Sequence, residues 1–463
     1  MDSMFLKGLT GKVVTPKDPI YEEARQEWNR AIDKFPLVIV YCEKKQDVVN
    51  AIQWARKHRV DIRIRSGGHH YEGYSTGDCV LVIDISRLNG LKLDRKRNIL
   101  KMEAGAKNTE VYDFIGSNGY VFPGGTCPTV GVSGFTLGGG WGLSSRLYGL
   151  GCDSLIELEL VNYEGKIIKA NKSCNADLFW ACRGAGGGNF GVVASMTFQL
   201  PKPTNSSVTL VRFFYVGTTR EKQAQVMNIW QSWLPELDKR MTLVASFYNG
   251  EGEGLGIFAN GFFYGSPERA RKILQPFAEV EGFRIELESL SFLEAVKKIE
   301  ATYPPSEKFK STGRFVQRTY SRGEIENLAE LIQRPAEGSV YAAISFYALG
   351  GEIRSVGKRE TAFFYRNSRY ILGFQSVWTD DAFASANREW LRKRFEYIKS
   401  ITVGSYVNFP ISNLRNYERE YFGDNAERLE RVNKKYDPFN VFRFPQGLRY
   451  RAEKDTKLTI EPV

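Results

Sequence analysis

The sequence predicts an α+β protein, in which a mixed region of strands and helices is followed by an antiparallel sheet flanked by helices. Residues 37–41 form an apolar strand run, residues 45–58 place apolar side chains at helical spacing, and residues 61–65 form a second strand run. Residues 205–400 instead alternate long β-branched and aromatic runs with helical runs. That alternation is typical of an antiparallel sheet covered by helices.

The other elements before residue 200 follow the opening strand–helix–strand unit. Residues 21–32 have the pattern of a helix in an entry arm. Apolar and β-branched runs predict strands over residues 80–84, 99–103, 155–162 and 192–200, and an amphipathic run predicts a helix over residues 108–118.

The later elements are longer, and a boundary precedes them. The Pro-Lys-Pro-Thr segment at residues 201–204 is typical of a domain boundary. We therefore expect three units, over residues 1–204, 205–404 and 405–463. Strands are predicted over residues 208–216, 243–248, 256–263, 340–347 and 370–378, and helices over residues 220–237, 267–277, 323–333, 380–401 and 425–436.

Length and composition fit an ordinary multidomain protein. The chain has 463 residues, of which 42% are hydrophobic and 25% charged, which suggests two or three domains with ample core. The net charge of +11 is spread among 53 acidic residues, and no nucleic-acid-binding motif accompanies it. We interpret it as a basic, solvated surface without a nucleic-acid partner, and a weak bias toward anionic substrates stays open.

The cellular context is predicted from apolar runs and from cysteines. No apolar run reaches the length of a signal-peptide core or of a membrane span, so we expect a cytoplasmic protein without a membrane partner. The six cysteines form no C-x-x-C pair, and the chain has three histidines. A disulfide framework and a metal site are therefore not expected. The sequence does not indicate an oligomeric state.

One glycine motif excludes a dinucleotide site of the Rossmann type. Residues 186–191 contain G-x-G-x-x-G, which in that fold follows a strand and opens a helix. Here the motif is followed by a β-branched strand run at residues 192–200. The glycines therefore serve another purpose.

The first candidate site motif is Arg-Ser-Gly-Gly-His-His-Tyr-Glu-Gly at residues 65–73. Gly67 and Gly68 end a short strand and allow a tight turn whose backbone N–H groups face an anionic group. Two of the three histidines, His69 and His70, follow at once. The alternative is an ordinary strand-to-turn connection with surface imidazoles.

The second motif, Gly-Gly-Thr-Cys-Pro-Thr-Val-Gly-Val-Ser-Gly-Phe-Thr-Leu-Gly-Gly-Gly-Trp-Gly, covers residues 124–142. Together the two motifs closely resemble the flavin-binding signatures of the berberine bridge enzyme-like oxidases, within the vanillyl-alcohol-oxidase-type FAD superfamily. Residues 177–191 and 437–442 resemble the central and closing motifs of that family. The resemblance is strong over residues 15–200, good over residues 405–450 and limited to general layout between them.

The resemblance implies a fold. Residues 1–204 would be a PCMH-type FAD-binding domain made of two α/β subdomains. Residues 205–404 would be the α+β substrate domain, and residues 405–463 a C-terminal segment that returns to the FAD domain.

The resemblance also implies a doubly attached flavin. His69 would bond to the flavin 8α-methyl group and Cys127 to C6 of the isoalloxazine ring. A neutral imidazole and a thiolate are both nucleophiles suited to an electron-poor ring. The alternative for Cys127 is a buried structural thiol, and we interpret His70 as structural.

The remaining cofactor contacts are implied by the same motifs. Glycines would let backbone N–H groups approach the pyrophosphate; the alternative is glycine packing without a ligand. Many family members have histidine at the position of Phe135, so one polar contact to the flavin is in doubt. The further implied contacts are Arg65, Ser66, Gly67, Gly68, Val130, Gly131, Ser133, Gly134, Leu137, Gly138, Gly139, Gly140, Gly142, Gly191, Val192, Val193, Tyr406 and Asn408.

The implied reaction is the oxidation of an alcohol, either a sugar or a secondary-metabolite hydroxyl, with hydride transfer to flavin N5. A base must take the hydroxyl proton, and the candidates are Tyr406, Tyr148 and Tyr347. A phenol needs a neighbouring positive charge to act as a base at neutral pH. Sugar-oxidising members often have tyrosine where this chain has Phe409, which weakens a carbohydrate substrate.

The electron acceptor is expected to be O₂, which would give H₂O₂. In the family, valine at the position of Val130 accompanies oxidases, whereas isoleucine or leucine accompanies dehydrogenases; the alternative is an ordinary buried valine. Two other functions stay open: a flavin dehydrogenase of the same fold with a quinone or protein acceptor, and a structural relic. The intact motifs around His69 and Cys127 disfavour the relic.

Overall fold

The computed structural model describes residues 4–203 and 207–449 of the chain. Its strands form sheets of four, five and eight strands. The two smaller sheets come from the first two hundred residues, and the large sheet comes from the residues that follow. The predicted α+β class, with a mixed region before an antiparallel sheet flanked by helices, is confirmed.

The first sheet contains β1 (Lys12–Val14), β2 (Val38–Tyr41), β3 (Ile62–Arg65) and β4 (Leu81–Asp84), in the order β1-β2-β4-β3. β2, β4 and β3 are parallel, whereas β1 is antiparallel to β2. Parallel neighbours need a crossover connection. The short α1 (Tyr21–Ala24) precedes β2, whereas α2 (Lys45–His58) makes the crossover from β2 to β3, which lie on either side of β4, and buries Val48, Ile52 and Ala55.

The second sheet is antiparallel and has the order β5-β6-β9-β7-β8. The helices of this region lie on the connections between β6 and β7 and between β8 and β9. The strands are β5 (Leu91–Asp94), β6 (Ile99–Glu103), β7 (Leu155–Val161), β8 (Ile167–Asn171) and β9 (Val192–Gln199); the helices are α3 (Asn108–Gly116), α4 (Val132–Leu137), α5 (Ser145–Tyr148) and α6 (Ala176–Ala181).

The third sheet is also antiparallel, in the order β13-β10-β12-β11-β15-β16-β14-β17. Its strands are β10 (Val208–Val216), β11 (Met241–Gly250), β12 (Gly254–Phe263), β13 (Arg284–Leu290), β14 (Lys308–Val316), β15 (Ser339–Ala348), β16 (Tyr370–Trp378) and β17 (Val403–Ser405). Its helices are α7 (Arg220–Trp233), α8 (Pro267–Ile273), α9 (Gln275–Ala278), α10 (Phe292–Glu300), α11 (Arg322–Glu330) and α12 (Ala384–Ile401).

The tail returns to the first region of the chain. After β17 it forms α13 (Tyr417–Phe422) and α14 (Ala426–Tyr436). α14 packs on α6, where Lys435 forms an ion pair with Asp177 (2.7 Å) and the Tyr436 hydroxyl donates to the same carboxylate (2.8 Å). One continuous hydrophobic core includes residues of all three sheets.

Two buried arginines join the region of the third sheet to residues 146–153 of the preceding region. Arg146 of α5 donates to the backbone carbonyls of Met241 (2.9 Å), Leu237 (2.6 Å) and Leu349. With no carboxylate among these contacts, burial lowers the pKa of Arg146 to about 10. Arg366 forms a two-pronged ion pair with Asp153, with both N–O distances at 2.7 Å.

Some predicted elements differ from the structure. The helix predicted over residues 21–32 ends at Ala24, because Trp28 N–H donates to the carbonyl of Gly68 (2.9 Å) and Arg30 N–H to that of Glu307 (2.8 Å). The helix predicted over residues 267–277 is interrupted between α8 and α9, where Pro276 cannot continue the hydrogen-bond ladder.

The unit boundaries stay predictions. The first, between residues 204 and 205, lies outside the described residues, and the second, between 404 and 405, falls inside β17.

No helix in the described ranges is both long and apolar enough to cross a lipid bilayer.

Candidate functional site

Two loops meet backbone to backbone at the edge of the first sheet. One follows β3 at residues 65–69, and the other precedes α4 at residues 127–131. A Cβ atom placed on Gly67 would lie 2.3 Å from the nitrogen of Gly131 and 2.5 Å from the carbonyl oxygen of Thr129. A Cβ atom on Gly131 would lie 2.1 Å from Ser66 Oγ. Only glycines allow this approach.

The contact of the two loops brings His69 and Cys127 to one hydroxyl group. His69 Nε2 lies 2.7 Å from Thr129 Oγ1, and Cys127 Sγ lies 3.8 Å from the same oxygen. The family resemblance implies that these two residues bond to one flavin ring. The structure brings both to the Thr129 hydroxyl, and their bonds to a flavin stay a prediction.

The His69 ring is neutral and held in one plane. Burial lowers its pKa to about 3, and the positive charge of Lys107 acts in the same direction. The Trp28 ring stacks on it with centroids 5.0 Å apart and planes inclined by 24°. His69 therefore keeps a lone pair on one nitrogen throughout the neutral range.

Cys127 has donors around a buried sulfur. Burial raises the pKa of its thiol, while hydrogen bonds from the backbone N–H groups of Thr129 and Val130 and from the Thr129 hydroxyl lower it. The sulfur therefore has a preformed set of donors for a thiolate.

The turn after β3 offers backbone donors. The N–H groups of Gly67, Gly68 and His69 donate to no acceptor within the described ranges, and Gly68 has a φ of 69°. Successive free N–H groups beside a left-handed residue form a concave anion site.

The side chains of Arg65 and Ser66 hold this turn instead of facing outward. The Arg65 guanidinium donates to Asp84 Oδ2 (2.5 Å) and lies 3.8 Å from the Glu27 carboxylate, and all three groups are buried. Ser66 Oγ donates to the carbonyl of Ala104 (3.3 Å). Their contact with a cofactor stays a prediction, and it would use the backbone.

Several predicted pyrophosphate glycines contact protein atoms. A Cβ atom on Gly138 would meet the Asn408 amide at 1.9 Å, and one on Gly142 would meet the carbonyl of Gly124 at 1.8 Å. Gly139 and Gly140 face the rings of Phe363 and Phe135, whereas Gly134 has no atom within 4 Å. Packing therefore accounts for four of these glycines, and a ligand contact at each stays a prediction.

The other predicted cofactor residues lie in regular elements. Ser133 and Leu137 are buried in α4, and Val130 just before it is half-buried, so Val130 is not an ordinary core valine. Gly191 is pressed against Leu160, and the next two residues, Val192 and Val193, enter β9 beside β7. Their roles also stay predictions.

Tyr406 is buried and joined to the glycine motif. Its oxygen accepts the backbone N–H groups of Gly140 (3.1 Å) and Trp141 (3.2 Å) and lies 3.0 Å from Asn408 Nδ2. Asn408 also donates to the carbonyl of Phe135 (2.9 Å). Burial raises the pKa of Tyr406 to about 12, although these donors oppose the shift. The tail is thus fixed beside the second motif.

The other two predicted bases lie in different surroundings. Tyr347 of β15 contacts Phe409 and Trp141, with ring centroids 5.2 and 4.9 Å apart, and burial raises its pKa to about 12. Tyr148 of α5 is half-buried and packs instead against Tyr264 at 5.5 Å. Only Tyr347 shares a ring cluster with the tail.

An aromatic and hydroxyl-lined face of the third sheet covers this region. Tyr71, from the first motif, stacks on Phe409 with centroids 5.3 Å apart and planes inclined by 3°. The hydroxyls of Ser246 and Ser345 are 2.7 Å apart on β11 and β15. Gln375 pairs across the sheet with Ser311 and Ala343 and is half-buried.

Sequence reasoning missed several groups around this site. Tyr71 and Thr129 lie inside the two flavin-binding motifs, and their positions there could have marked them as site residues. Tyr303, whose hydroxyl lies 2.6 Å from Thr126 Oγ1, and Glu307, whose pKa burial raises to about 7, belong to no motif. Gln375 lies in a predicted strand, yet nothing in the sequence marks it.

Comparison with protein families gives matches for both parts of the chain that form the site. Residues 36–171 match the family described as FAD binding domain, and residues 405–449 match the family described as berberine and berberine like. The first range contains both loops, and the second contains Tyr406 and Asn408.

Individual proteins and structures agree with that assignment over at least 93% of the chain. A Bacillus subtilis protein named FAD-linked oxidoreductase YgaK is 36% identical over 95% of this chain and 97% of its own. The chitooligosaccharide oxidase of Gibberella zeae is 27% identical over 93% of this chain and 91% of its own. The structure of Physcomitrella patens BBE-like 1 matches with a TM-score of 0.88 and 26% identity, over 97% of this chain and 99% of that one.

Proposed function

The chain belongs to the berberine bridge enzyme-like family of FAD-linked oxidoreductases, and we propose that it is an oxidase whose flavin is bonded to both His69 and Cys127. The observation that carries the proposal is the meeting of the two side chains at the Thr129 hydroxyl, at 2.7 and 3.8 Å. A structural thiol or a surface histidine has no need of such a partner.

The residues present suit FAD. A neutral imidazole and a thiol with three hydrogen-bond donors are both nucleophiles toward an electron-poor ring. The free N–H groups of Gly67, Gly68 and His69 suit a pyrophosphate. When bound, FAD would supply the two-electron chemistry.

The substrate we propose is an alcohol, either a sugar or a secondary-metabolite hydroxyl. The aromatic rings of Tyr71, Tyr347 and Phe409 and the Ser246–Ser345 hydroxyl pair suit a ligand with flat faces and hydroxyl groups. One full-length relative is named for the oxidation of chitooligosaccharides. Phe409, in place of the tyrosine frequent in sugar oxidases, favours the secondary-metabolite alcohol.

The base we propose is Tyr406, with Tyr347 and Tyr148 as the other candidates. Three N–H groups around the oxygen of Tyr406 stabilise its phenolate. Its hydroxyl also fixes the tail against Gly140 and Trp141. Tyr347 is the second candidate because it lies in the ring cluster with Phe409.

The electron acceptor we propose is O₂, with H₂O₂ as the product. Val130 precedes Gly131 in the loop that contacts both His69 and Cys127, and its side chain is half-buried. A valine there leaves a small space that a longer side chain would fill.

Acid precipitation tests the double attachment. We expect yellow pellets from the wild type and from His69→Ala and Cys127→Ala, each of which keeps one bond, and a colourless pellet from the double variant. Release of all FAD from the wild type into the supernatant would refute the proposal.

A substrate panel tests the reaction. Sugars, oligosaccharides, and aromatic and polyketide alcohols are each mixed with the enzyme without oxygen, and bleaching of the flavin band identifies a substrate. Bleaching by no alcohol would contradict the proposed reaction class.

A further inference from the structure

In the described part of the chain, the Thr129 side chain is within hydrogen-bond distance of both proposed attachment residues. Its Oγ1 lies 2.7 Å from His69 Nε2 and 3.8 Å from Cys127 Sγ. A hydroxyl has one proton to donate and two lone pairs to accept. The same group can therefore serve the histidine and the cysteine at once.

The direction of the two hydrogen bonds follows from what each partner needs. A neutral imidazole carries one N–H, and in the described residues the polar contact of Nε2 is Thr129 Oγ1. A thiolate has no proton and accepts one. Once Cys127 is deprotonated for attack, the consistent arrangement is that His69 Nε2–H donates to Thr129 and that the Thr129 hydroxyl donates to the Cys127 sulfur.

This arrangement leaves His69 Nδ1 unprotonated. The tautomer of a histidine is set by the hydrogen bond that its other nitrogen makes. Stacking on Trp28 at 5.0 Å holds the ring plane, so the lone pair on Nδ1 has a fixed direction.

We propose that Thr129 is a positioning residue for flavin attachment: its hydroxyl keeps His69 Nδ1 free to form one bond, and it stabilises the thiolate form of Cys127, through a hydrogen bond, when the sulfur forms the other. The inference rests on the proposed function, because it assumes that both residues bind the flavin.

The chemistry balances with the oxidant already proposed. Each attachment replaces one C–H bond of the flavin by a bond to protein, either Nδ1–C at the 8α-methyl group or S–C at C6. Attachment of the Cys127 thiolate releases the proton of the C–H bond and two electrons, and solvent supplies the second proton that H₂O₂ needs. Attachment of neutral His69 releases the proton of the C–H bond, the proton of Nε2 and two electrons. O₂ takes the electrons and, with two protons, becomes H₂O₂.

The surroundings of Cys127 show what the hydroxyl contributes. Burial raises the pKa of the thiol, and the Thr129 hydroxyl is one of the three donors that oppose it, beside the backbone N–H groups of Thr129 and Val130. A valine at this position keeps the backbone donors and the side-chain shape but removes the hydroxyl. The thiolate fraction of Cys127 should then fall at neutral pH.

The same loop offers a matched control. Thr126 directly precedes Cys127, and its hydroxyl lies 2.6 Å from the hydroxyl of Tyr303. Thr126→Val therefore removes a hydroxyl from the same loop without changing the contacts of His69 or Cys127. Thr129→Ser keeps the hydroxyl and tests rescue.

The first experiment measures attachment. Full-length protein produced under riboflavin limitation is mixed with FAD and O₂, and samples are denatured at intervals to measure protein-bound flavin. We expect Thr129→Val to slow attachment at least about tenfold, as for the loss of one hydrogen bond to a charged group. Thr129→Ser and Thr126→Val should stay near the wild-type rate.

The second experiment needs no bound flavin. Alkylation of Cys127 by iodoacetamide is followed against pH by mass spectrometry of its peptide, which separates it from the exposed Cys79 and Cys174. Thr129→Val should shift the alkylation midpoint to higher pH, and Thr129→Ser and Thr126→Val should not. A loss of packing alone does not produce this pattern.

The outcomes separate the two proposals. Wild-type protein without bound flavin would refute the proposed function itself. Doubly attached wild type, together with unchanged attachment and alkylation in Thr129→Val, would overturn the role of Thr129. If the valine variant does not fold, Thr129→Ala carries the same test, because Thr129 is only half-buried.

Discussion

At the scale of single residues, Tyr406 has both a structural and a proposed chemical task. Tyr406→Phe removes the acceptor of the Gly140 and Trp141 N–H groups and the proposed base together. We expect flavin reduction to slow by roughly 10²-fold, the low end for loss of a general base, with a smaller effect on substrate binding. Anaerobic stopped-flow measures both.

A thermal unfolding curve of the same variant measures how much stability is lost with the hydrogen bonds of the Tyr406 hydroxyl. An unchanged reduction rate would transfer the role of base to Tyr347, or to Tyr148 if Tyr347→Phe is also unchanged.

Val130 decides the acceptor in our second residue-scale prediction. Val130→Ile adds one methylene beside the position that we propose for the flavin ring, and in a close-packed interior that is enough to fill a space the size of O₂. We expect reoxidation by O₂ to slow about tenfold or more, and reduction by substrate to stay unchanged. Mixing reduced enzyme with oxygenated buffer measures the first rate. Wild-type reoxidation on a scale of minutes would favour a dehydrogenase.

Some residues of this site could be predicted from the sequence, and others could not. His69 and Cys127 stand in long glycine motifs, so they could be named together. Their meeting at Thr129 could not be predicted, because it depends on how two distant loops approach. Glu307 follows two prolines outside any motif, and only the tertiary structure shows it half-buried with a raised pKa.

At the scale of elements, the contact between the two loops sets a strict limit on side-chain volume. In Gly67→Ala the new Cβ would meet backbone atoms of Gly131 and Thr129 at 2.3 and 2.5 Å. Backbone cannot yield as a flexible side chain does, so the loops must separate. We expect a loss of about 1–3 kcal/mol in stability and a lower fraction of doubly attached flavin.

Gly323→Ala is the matched control for that variant. Gly323 lies in α11 with no atom within 4 Å of its added Cβ. Stability should stay the same or rise by up to roughly 1 kcal/mol. Equal melting temperatures for Gly67→Ala and wild type would contradict the contact.

Element prediction succeeded where hydrophobic period was strong. α2, β6, β10 and β16 have the predicted bounds. β14 was not predicted, because its sequence, Lys-Phe-Lys-Ser-Thr-Gly-Arg-Phe-Val, carries three charges and a glycine. It is a strand through its pairing with β16 and β17, which sequence pattern does not show.

At the scale of the whole molecule, the Arg366–Asp153 pair joins the third sheet region to the second motif region. Its side chains are 1% and 9% exposed. Asp153→Asn leaves a buried guanidinium without its charge partner, which typically costs about 3–5 kcal/mol. We expect a clearly lower melting temperature and faster thermal inactivation, measured by differential scanning fluorimetry.

Glu389→Gln provides the comparison. The Glu389–Arg392 pair has a similar distance of 2.6 Å, but its side chains are 43% and 55% exposed. Exposed pairs contribute about 0–1 kcal/mol. Equal effects of the two variants would show that Arg366 does not depend on Asp153.

The class of fold was predictable because it rests on the order of elements and not on their packing. A strand–helix–strand opening is typical of parallel strands in one sheet, and we interpret the long strand runs after residue 205 as an antiparallel sheet. The strand order of the third sheet was not predictable, because β14 lies between β16 and β17 and not beside β13 or β15.

The hydrogen bonds between Tyr406 and the backbone of Gly140 and Trp141 also decide when, during synthesis of the chain, this part of the structure can be completed. A ribosome releases the first two sheets long before residue 406, and domains generally fold as they emerge. The loops around His69 and Cys127 have then emerged, but the segment around Tyr406 that contacts the glycine motif is either still in the exit tunnel or not yet synthesised. The glycine motif is therefore complete only once Tyr406 has been made, and the attachment that we propose would follow translation.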